Sequence, residues 1–341
     1  MVNYPARLLL ALTPTPLQLL SRISREAGGP RIWIKRDDLT GALLSGNKVR
    51  KLEFVLAHAL AQGCDTIITC GGLQSNHCRA TAVLCAQLGL KCRLILRAVP
   101  QSPLDKQSSS DKQSPPDGNL LLDYLVGADV RTFPVDIYQK NLLRLLREAE
   151  DELRKAGRIP FVIPTGASDG IGLWGYVAAC EELRADFLRH QIEPKHIVCA
   201  TGSGGTQAGL TAGVELHAID AKVWGFAVCD DENYFQHKVR ADLRDWKKLW
   251  SPTVDVEQLS IHVIDDYVGP GYANADAEVF DTIARVAKSE GIVLDPVYTG
   301  KAFHGMLSEI ARGRFDDSAD IVFVHTGGVF GLFPQRDQLR Y

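Results

Sequence analysis

The chain reads as an α/β protein of two domains, each an open, mostly parallel sheet with helices on both faces. Three observations predict this. Short apolar runs alternate with segments of helical period along the chain, the pattern of βαβ units and a parallel sheet. A length of 341 residues exceeds the size at which one hydrophobic core keeps growing, so two cores are expected. Glycine clusters stand where strand runs give way to helical runs, at Gly71-Gly72 and from Gly202 to Gly205, and in open α/β sheets ligands bind at those carboxyl ends.

The elements follow in order. Arg31 to Lys35 reads as a strand, Lys51 to Gln62 as a helix, Thr66 to Cys70 as a strand, Asn76 to Leu88 as a helix and Lys91 to Leu96 as a strand. From Val99 to Asn119 the sequence turns to Pro, Ser, Gln, Asp and Lys. That composition buries little apolar surface, so an exposed, mobile loop is expected, with a lid over a cleft as the functional alternative. Phe161 to Ile163 runs into Pro164-Thr165-Gly166, a second boundary. Ile197 to Ala200, Val223 to Val228 and Ile321 to His325 read as buried strands, with a helix opening near Thr206. No internal repeat is visible.

Composition excludes several classes of function. Apolar residues are 45%, charged residues 23% and the formal net charge is -3, which offers no basic field for nucleic acid or an anionic membrane. The apolar patch from Leu8 to Leu12 is short and followed by Pro14 and Pro16, unlike a signal peptide, and no run approaches membrane-spanning length. The eight cysteines form no CxxC pair; they read as buried reduced thiols, which points to a cytoplasmic compartment. No metal site is expected.

Four segments carry candidate chemistry. Gly46-Asn47-Lys48-Val49-Arg50-Lys51 sets Lys48 after a glycine turn at a helix start, where shielding and cationic neighbours lower an amine's pKa and make it a Schiff-base nucleophile; a solvated surface lysine is the plainer alternative. Thr201-Gly202-Ser203-Gly204-Gly205-Thr206 follows a strand and precedes a helix, so its backbone N–H groups form a cradle for a phosphate, unless the glycines are there for steric reasons alone. It lacks the Gly-Lys-Ser/Thr ending of a P-loop and lies too late in the chain for a dinucleotide fingerprint. In Gly71-Gly72-Leu73-Gln74-Ser75-Asn76-His77, Ser75 or Asn76 is a natural helix N-cap, yet four hydrogen-bonding side chains in succession also suit a ligand. Asp295-Pro296-Val297-Tyr298-Thr299-Gly300-Lys301 and His325-Thr326-Gly327-Gly328 occupy turns beside apolar strands.

Together and in this order, with Thr13 to Leu17 and Ile34 to Asp38, these motifs resemble the pyridoxal-phosphate enzymes of the tryptophan-synthase-β fold type (fold type II), and within it the family of 1-aminocyclopropane-1-carboxylate deaminase and D-cysteine desulfhydrase. The resemblance spans almost the whole chain. It implies a larger, discontinuous domain of residues 1–50 and 162–341, a smaller domain of 51–161 inserted in it, and a homodimer. It implies that Lys48 carries pyridoxal 5'-phosphate and then moves the proton at the substrate's Cα. Asn76 would hydrogen-bond the cofactor's phenolic oxygen, and Lys51 with the segment from Thr201 to Thr206 would hold the phosphate. Ser75, Asn76 and His77 would contact the substrate, as would Tyr272, Tyr298 and Thr299, with Tyr298, Tyr272 and Ser75 among the catalytic groups; Thr326 would sit at the cofactor. Ser45 departs from the family's usual glycine. Thr299 and Thr326 follow the desulfhydrase pattern, where the deaminases have Glu and Leu. A neutral threonine beside the pyridine nitrogen implies a weaker electron sink, sufficient to expel hydrosulfide from Cβ. The implied reaction is β-elimination on a small amino acid: D-cysteine and water to pyruvate, hydrogen sulfide and ammonia. The alternatives are L-cysteate sulfo-lyase, D-serine dehydratase and cyclopropane-carboxylate deaminase. A binding protein that merely keeps a phosphate site and an NAD-dependent oxidoreductase are the readings from other classes.

Overall fold

The computed structural model describes residues 2–98 and 115–339. The chain divides into two compact units, Met1–Ala57 with Ala167–Tyr341, and His58–Gly166; the sequence reading set these divisions at 50/51 and 161/162.

The first unit is built on a six-stranded sheet. Its elements are β1 (Leu17–Leu19), α1 (Ser21–Ala27), β2 (Arg31–Lys35) and α2 (Asn47–Ala61), whose last residues belong to the second unit. The second unit contributes β3 (Thr66–Gly72), α3 (Asn76–Leu88), β4 (Lys91–Arg97), α4 (Gly118–Leu125), β5 (Asp129–Phe133), α5 (Val135–Lys155) and β6 (Pro160–Val162). The chain then returns to the first unit with α6 (Trp174–His190), β7 (His196–Thr201), α7 (Gly205–Leu216), β8 (Lys222–Ala227), α8 (Glu232–Trp250), β9 (His262–Ile264), α9 (Ala277–Glu290), α10 (Thr299–Ala311) and β10 (Asp320–Val324).

Strand order in the first sheet is β1-β2-β10-β7-β8-β9, and every pairing except β1 with β2 is parallel. The smaller sheet runs β5-β4-β3-β6, all parallel. Successive residues of the central strands serve opposite faces. Ile32, Ile34, Val198, Ala200, Ile321 and Phe323 pack into the core under α1, α9 and α10. Their neighbours Trp33, Ile197, Cys199, Val322 and Val324 pack into a second core with Tyr176, Leu183 and Leu210 of α6 and α7. Burial on both faces is why these strands read as continuous apolar runs rather than as alternation.

Two boundaries differ from expectation. The helix expected from Lys51 begins at Asn47, because Gly46 in the left-handed region (φ +113°) supplies the turn that launches it. Of the loop expected over 99–119, residues 99–114 lie outside the described residues, and Gly118 and Asn119 already belong to α4, whose N-cap Asp117 accepts from the Gly118 N–H at 2.7 Å. Among the described residues the cysteines are free thiols, all buried except the half-buried Cys229. No helix among them is long and apolar enough to cross a membrane.

Candidate active site

The residues singled out from sequence fall into two groups, one in each unit. In the first unit Lys48 occupies the first turn of α2 and is half-buried. The turn before it lies backbone to backbone against the turn after β10. A Cβ on Gly46 would stand 2.6 Å from the Thr326 carbonyl oxygen, and one on Gly327 2.6 Å from Gly46 Cα. Both glycines are therefore required by contact as well as by positive φ. The Asn47 N–H donates to the Thr326 carbonyl at 3.2 Å.

A buried ionic network fixes this turn from below. Arg50, 3% exposed, donates to both oxygens of the fully buried Asp37 at 2.8 Å and to both oxygens of Glu182 at 2.7 and 2.9 Å. Tyr176 and Thr15 also donate to Asp37, each at 2.7 Å. Lys35 reaches Asp186 at 2.7 Å and Glu182 at 3.2 Å. Burial alone would raise the Asp37 carboxyl, but the Arg50 guanidinium overrides it and holds the group below its ordinary value. The Asp37 carbonyl accepts from the Gly46 N–H at 3.0 Å, so the network and the Lys48 turn are joined.

One helical turn beyond Lys48, the amine of Lys51 is fully buried and donates to Ser168 Oγ at 3.1 Å. Ser168 Oγ lies 2.8 Å from Ser203 Oγ and accepts from the Gly205 N–H at 3.2 Å. Lys238 donates to the Ser168 carbonyl at 3.2 Å and pairs with Asp242. Burial pushes the Lys51 amine well below the ordinary lysine value, and the neighbouring Lys48 and Lys238 charges push it further while Asp242 opposes them. A Cβ on Gly205 would come within 2.7 Å of the Lys51 amine and 2.6 Å of Ser168 Oγ. Glycine is thus what opens the backbone here, at the N-terminus of α7. Asn47 Nδ2 donates to Thr206 Oγ1 at 2.8 Å, tying the Lys48 turn to this loop. Thr201, the last residue of β7, is buried below it.

Tyr298 packs on the same loop, its Cε1 lying 3.1 Å from where a Cβ on Gly202 would be. Its hydroxyl is 2.5 Å from that of Tyr272. Burial, then the Tyr272 and Asp295 oxygens, raise the Tyr298 phenol well above its ordinary value, so it keeps its proton at neutral pH. Lys301 lashes the Tyr272 turn in place, donating to the Val268 and Gly271 carbonyls at 2.7 and 2.8 Å. Thr299 is fully buried; its hydroxyl donates to Asp295 Oδ1 at 2.7 Å and accepts from the Asp295 N–H at 2.9 Å. Asp295 also accepts from the N–H groups of residues 297, 298 and 299, which caps α10. Burial raises its carboxyl and these bonds oppose the rise. A Cβ on Gly328 would lie 2.5 Å from Asp295 Cγ, so the turn after β10 packs against the Asp295–Thr299 corner through Gly328.

In the second unit the turn after β3 presents Ser75, Asn76 and His77. Ser75 is the N-cap of α3 and accepts from the Cys78 N–H at 3.2 Å. A Cβ on Gly71 would meet Ser75 Oγ at 2.6 Å, which explains the glycine. Asn76 opens the helix, with its side-chain oxygen 3.1 Å from Asn119 Nδ2. His77 Nε2 lies 2.8 Å from Thr69 Oγ1, whose own proton goes to the Ile163 carbonyl at 2.9 Å. Nε2 therefore carries the proton, and the ring is anchored to the sheet.

Sequence reasoning missed Asn47, Ser168, Lys238, Asp295 and Lys301. Asp295 and Lys301 stand inside a quoted motif and Asn47 beside the lysine. Ser168 had a signal in its glycine-flanked turn, Gly166-Ala167-Ser168-Asp169-Gly170. Among the described residues no cluster of His, Cys, Asp and Glu could hold a metal.

The profile of the pyridoxal-phosphate dependent enzyme family matches residues 8–327. A mitochondrial bifunctional D-cysteine desulfhydrase/1-aminocyclopropane-1-carboxylate deaminase of Arabidopsis thaliana is 41% identical over 97% of this chain and 80% of its own length. A D-cysteine desulfhydrase of Serratia proteamaculans is 37% identical over 98% of this chain and 97% of its own. A crystal structure of a 1-aminocyclopropane-1-carboxylate deaminase homologue superposes with a TM-score of 0.85 at 36% identity, over 98% of this chain and 95% of the other.

Proposed function

The chain belongs to the pyridoxal-phosphate-dependent enzyme family, and from that premise we propose that it eliminates the Cβ substituent of a small amino acid, converting D-cysteine and water to pyruvate, hydrogen sulfide and ammonia. The observation that carries the reading is the cluster of the buried Lys51, Ser168 and Gly205 with the half-buried Ser203, one turn from Lys48. The sealed Lys51 amine beside Lys48, the Ser168 and Ser203 hydroxyls and the Gly205 N–H form a donor set that suits a phosphate, whose charge would offset the cost of burying the Lys51 ammonium.

On this reading Lys51, Ser168, Ser203 and the backbone from Gly202 to Thr206 would hold the cofactor's phosphate, Lys48 would hold its aldehyde end and Asn76 would donate to its phenolic oxygen. When bound, the cofactor supplies an electron sink for the pair left at the substrate's Cα. Lys48 takes the Cα proton. Tyr298, whose phenol keeps its proton, is suited to donate to the leaving sulfur and unsuited to act as the base. Ser75 holds the substrate carboxylate, and Tyr272 orients Tyr298 through their shared hydrogen bond. The released enamine hydrolyses in water. The neutral pair Thr299 and Thr326 supports sulfide elimination over ring opening. A cytoplasmic homodimer completes the reading, in keeping with the reduced cysteines.

Replacing Lys48 by alanine tests it. The purified variant should lose the visible absorption of the bound cofactor and at least ~100-fold of pyruvate release from D-cysteine, the lower end of what a positioned acid–base group contributes, with an unchanged far-ultraviolet circular dichroism spectrum. Wild-type absorption in the variant would sink the assignment.

A further inference from the structure

The first residues of α4 are stitched to the turn that precedes α3. Gln74 Nε2 donates to the Asp117 carbonyl at 2.9 Å, the Asn119 N–H donates to Gln74 Oε1 at 2.9 Å, and Asn119 Nδ2 donates to the Gln74 carbonyl at 3.1 Å and to Asn76 Oδ1 at 3.1 Å. Asn119 is fully buried and Asn76 nearly so, at 8% exposed. Both elements belong to the second unit.

The partners determine which way each amide points. A backbone carbonyl only accepts, so the Asn119 atom facing the Gln74 carbonyl is its nitrogen. That same nitrogen faces the Asn76 side chain. The Asn76 atom opposite must then be the oxygen, since the reverse orientation would set two NH2 groups against each other in a site sealed from water. With its oxygen taken by Asn119, Asn76 turns its NH2 the other way, where it has no hydrogen-bond partner among the described residues. An asparagine without this constraint flips to suit whatever it meets.

We propose that Asn119 is a positioning residue for the reaction: it holds Asn76 with its oxygen toward Asn119 and its NH2 turned away, so that Asn76 is a donor and never an acceptor toward the cofactor. The inference rests on the assignment of Asn76 to the cofactor's phenolic oxygen, an anionic acceptor that needs a donor. Asn119 takes part at one remove, through the orientation of a neighbouring amide.

The test compares holoenzymes carrying Asn119→Ala, Asn119→Asp and Asn76→Ala, reading the visible absorption of the bound cofactor against pH and the affinity of each apoenzyme for pyridoxal 5'-phosphate by fluorescence titration. Asn119→Asp replaces the donor with an acceptor and invites Asn76 to flip; it should shift the absorption band in the direction of Asn76→Ala and weaken cofactor affinity by about tenfold, the scale of one hydrogen bond to a charged group. Asn119→Ala removes the constraint alone and should give a smaller change of the same sign. A shifted band for Asn76→Ala with wild-type spectra and affinity in both Asn119 variants overturns the proposal and leaves the role of Asn76 standing. A wild-type spectrum for Asn76→Ala overturns the role of Asn76 itself. If neither Asn119 variant folds, Asn119 serves stability rather than orientation, which also overturns the proposal.

Discussion

At the scale of the residue, Lys48 and Lys51 stand one turn apart on the same face of α2, and their separation of roles follows from burial. Lys51 is sealed, its charge disfavoured by desolvation and by its neighbour, so it gains most from an anion. Lys48 is half-buried, in reach of a partner that arrives and leaves. Thr299 invites the sharpest substitution. It is fully buried with both its hydroxyl and its N–H engaged by Asp295, so Thr299→Glu sets a second carboxylate against one that burial already burdens. Desulfhydration of D-cysteine should fall at least ~10-fold in kcat/KM, equivalent to ~1.4 kcal/mol of transition-state stabilisation. An undiminished rate would make Thr299 a marker of the subfamily without a part in its chemistry. The threonine pair, the two tyrosines and both lysines could be singled out as candidates in the sequence because each sits inside a compact motif. Ser168 was not, because it meets Lys51 from 117 positions away in the chain and no local pattern reports such a contact.

At the scale of the element, α2 is placed by its first turn. Gly46 supplies the conformation, Thr326 and Gly327 the wall, and Arg50 the anchor to Asp37 and Glu182. Truncating one partner of a buried network leaves the others uncompensated, so Arg50→Met should lower unfolding stability by about 3–5 kcal/mol, read as a lower denaturant midpoint; a wild-type midpoint would show the network to be dispensable. The same network predicts a pH dependence. Asp37 has a lowered carboxyl value in the folded chain, against about 3.9 in an unfolded one. Over the interval between them the unfolded chain binds more protons, so stability rises with pH there. Its contribution is present above about pH 4 and is lost as pH falls through the folded value. Asp37→Asn should therefore melt earlier than wild type at pH 7 and lose less on acidification from pH 5; parallel melting curves across that range would contradict this. The sequence set Lys48 after a glycine turn at a helix start and the body of the helix from Lys51; the structure begins it at Asn47, and what the sequence could not show is that Gly46 lies against a turn that comes much later in the chain. The sequence missed the start of α4 for a related reason: the composition up to Asn119 looks solvated, while Asn119 is held by Gln74 and Asn76.

At the scale of the whole molecule, the α/β class was legible because parallel strands covered on both faces leave continuous apolar runs, as β7 and β10 do. The larger sheet includes one strand order that no local pattern announces: β10, from the end of the chain, lies between β2 and β7. That placement brings the Thr326 turn against Gly46 and so completes the lysine's surroundings. The chemistry was legible through the order of the motifs. The Arabidopsis relative is named for both desulfhydration and deamination, so the choice of substrate decides between the two activities. The most direct measurement is pyruvate, sulfide and sulfite release by the purified holoenzyme from D-cysteine, L-cysteine and L-cysteate, with ammonia release from 1-aminocyclopropane-1-carboxylate in parallel. Pyruvate and sulfide are expected in equal amounts from D-cysteine, faster than turnover of the other three. Faster deamination of the cyclopropane substrate, or pyruvate with sulfite from L-cysteate as the leading reaction, would contradict this.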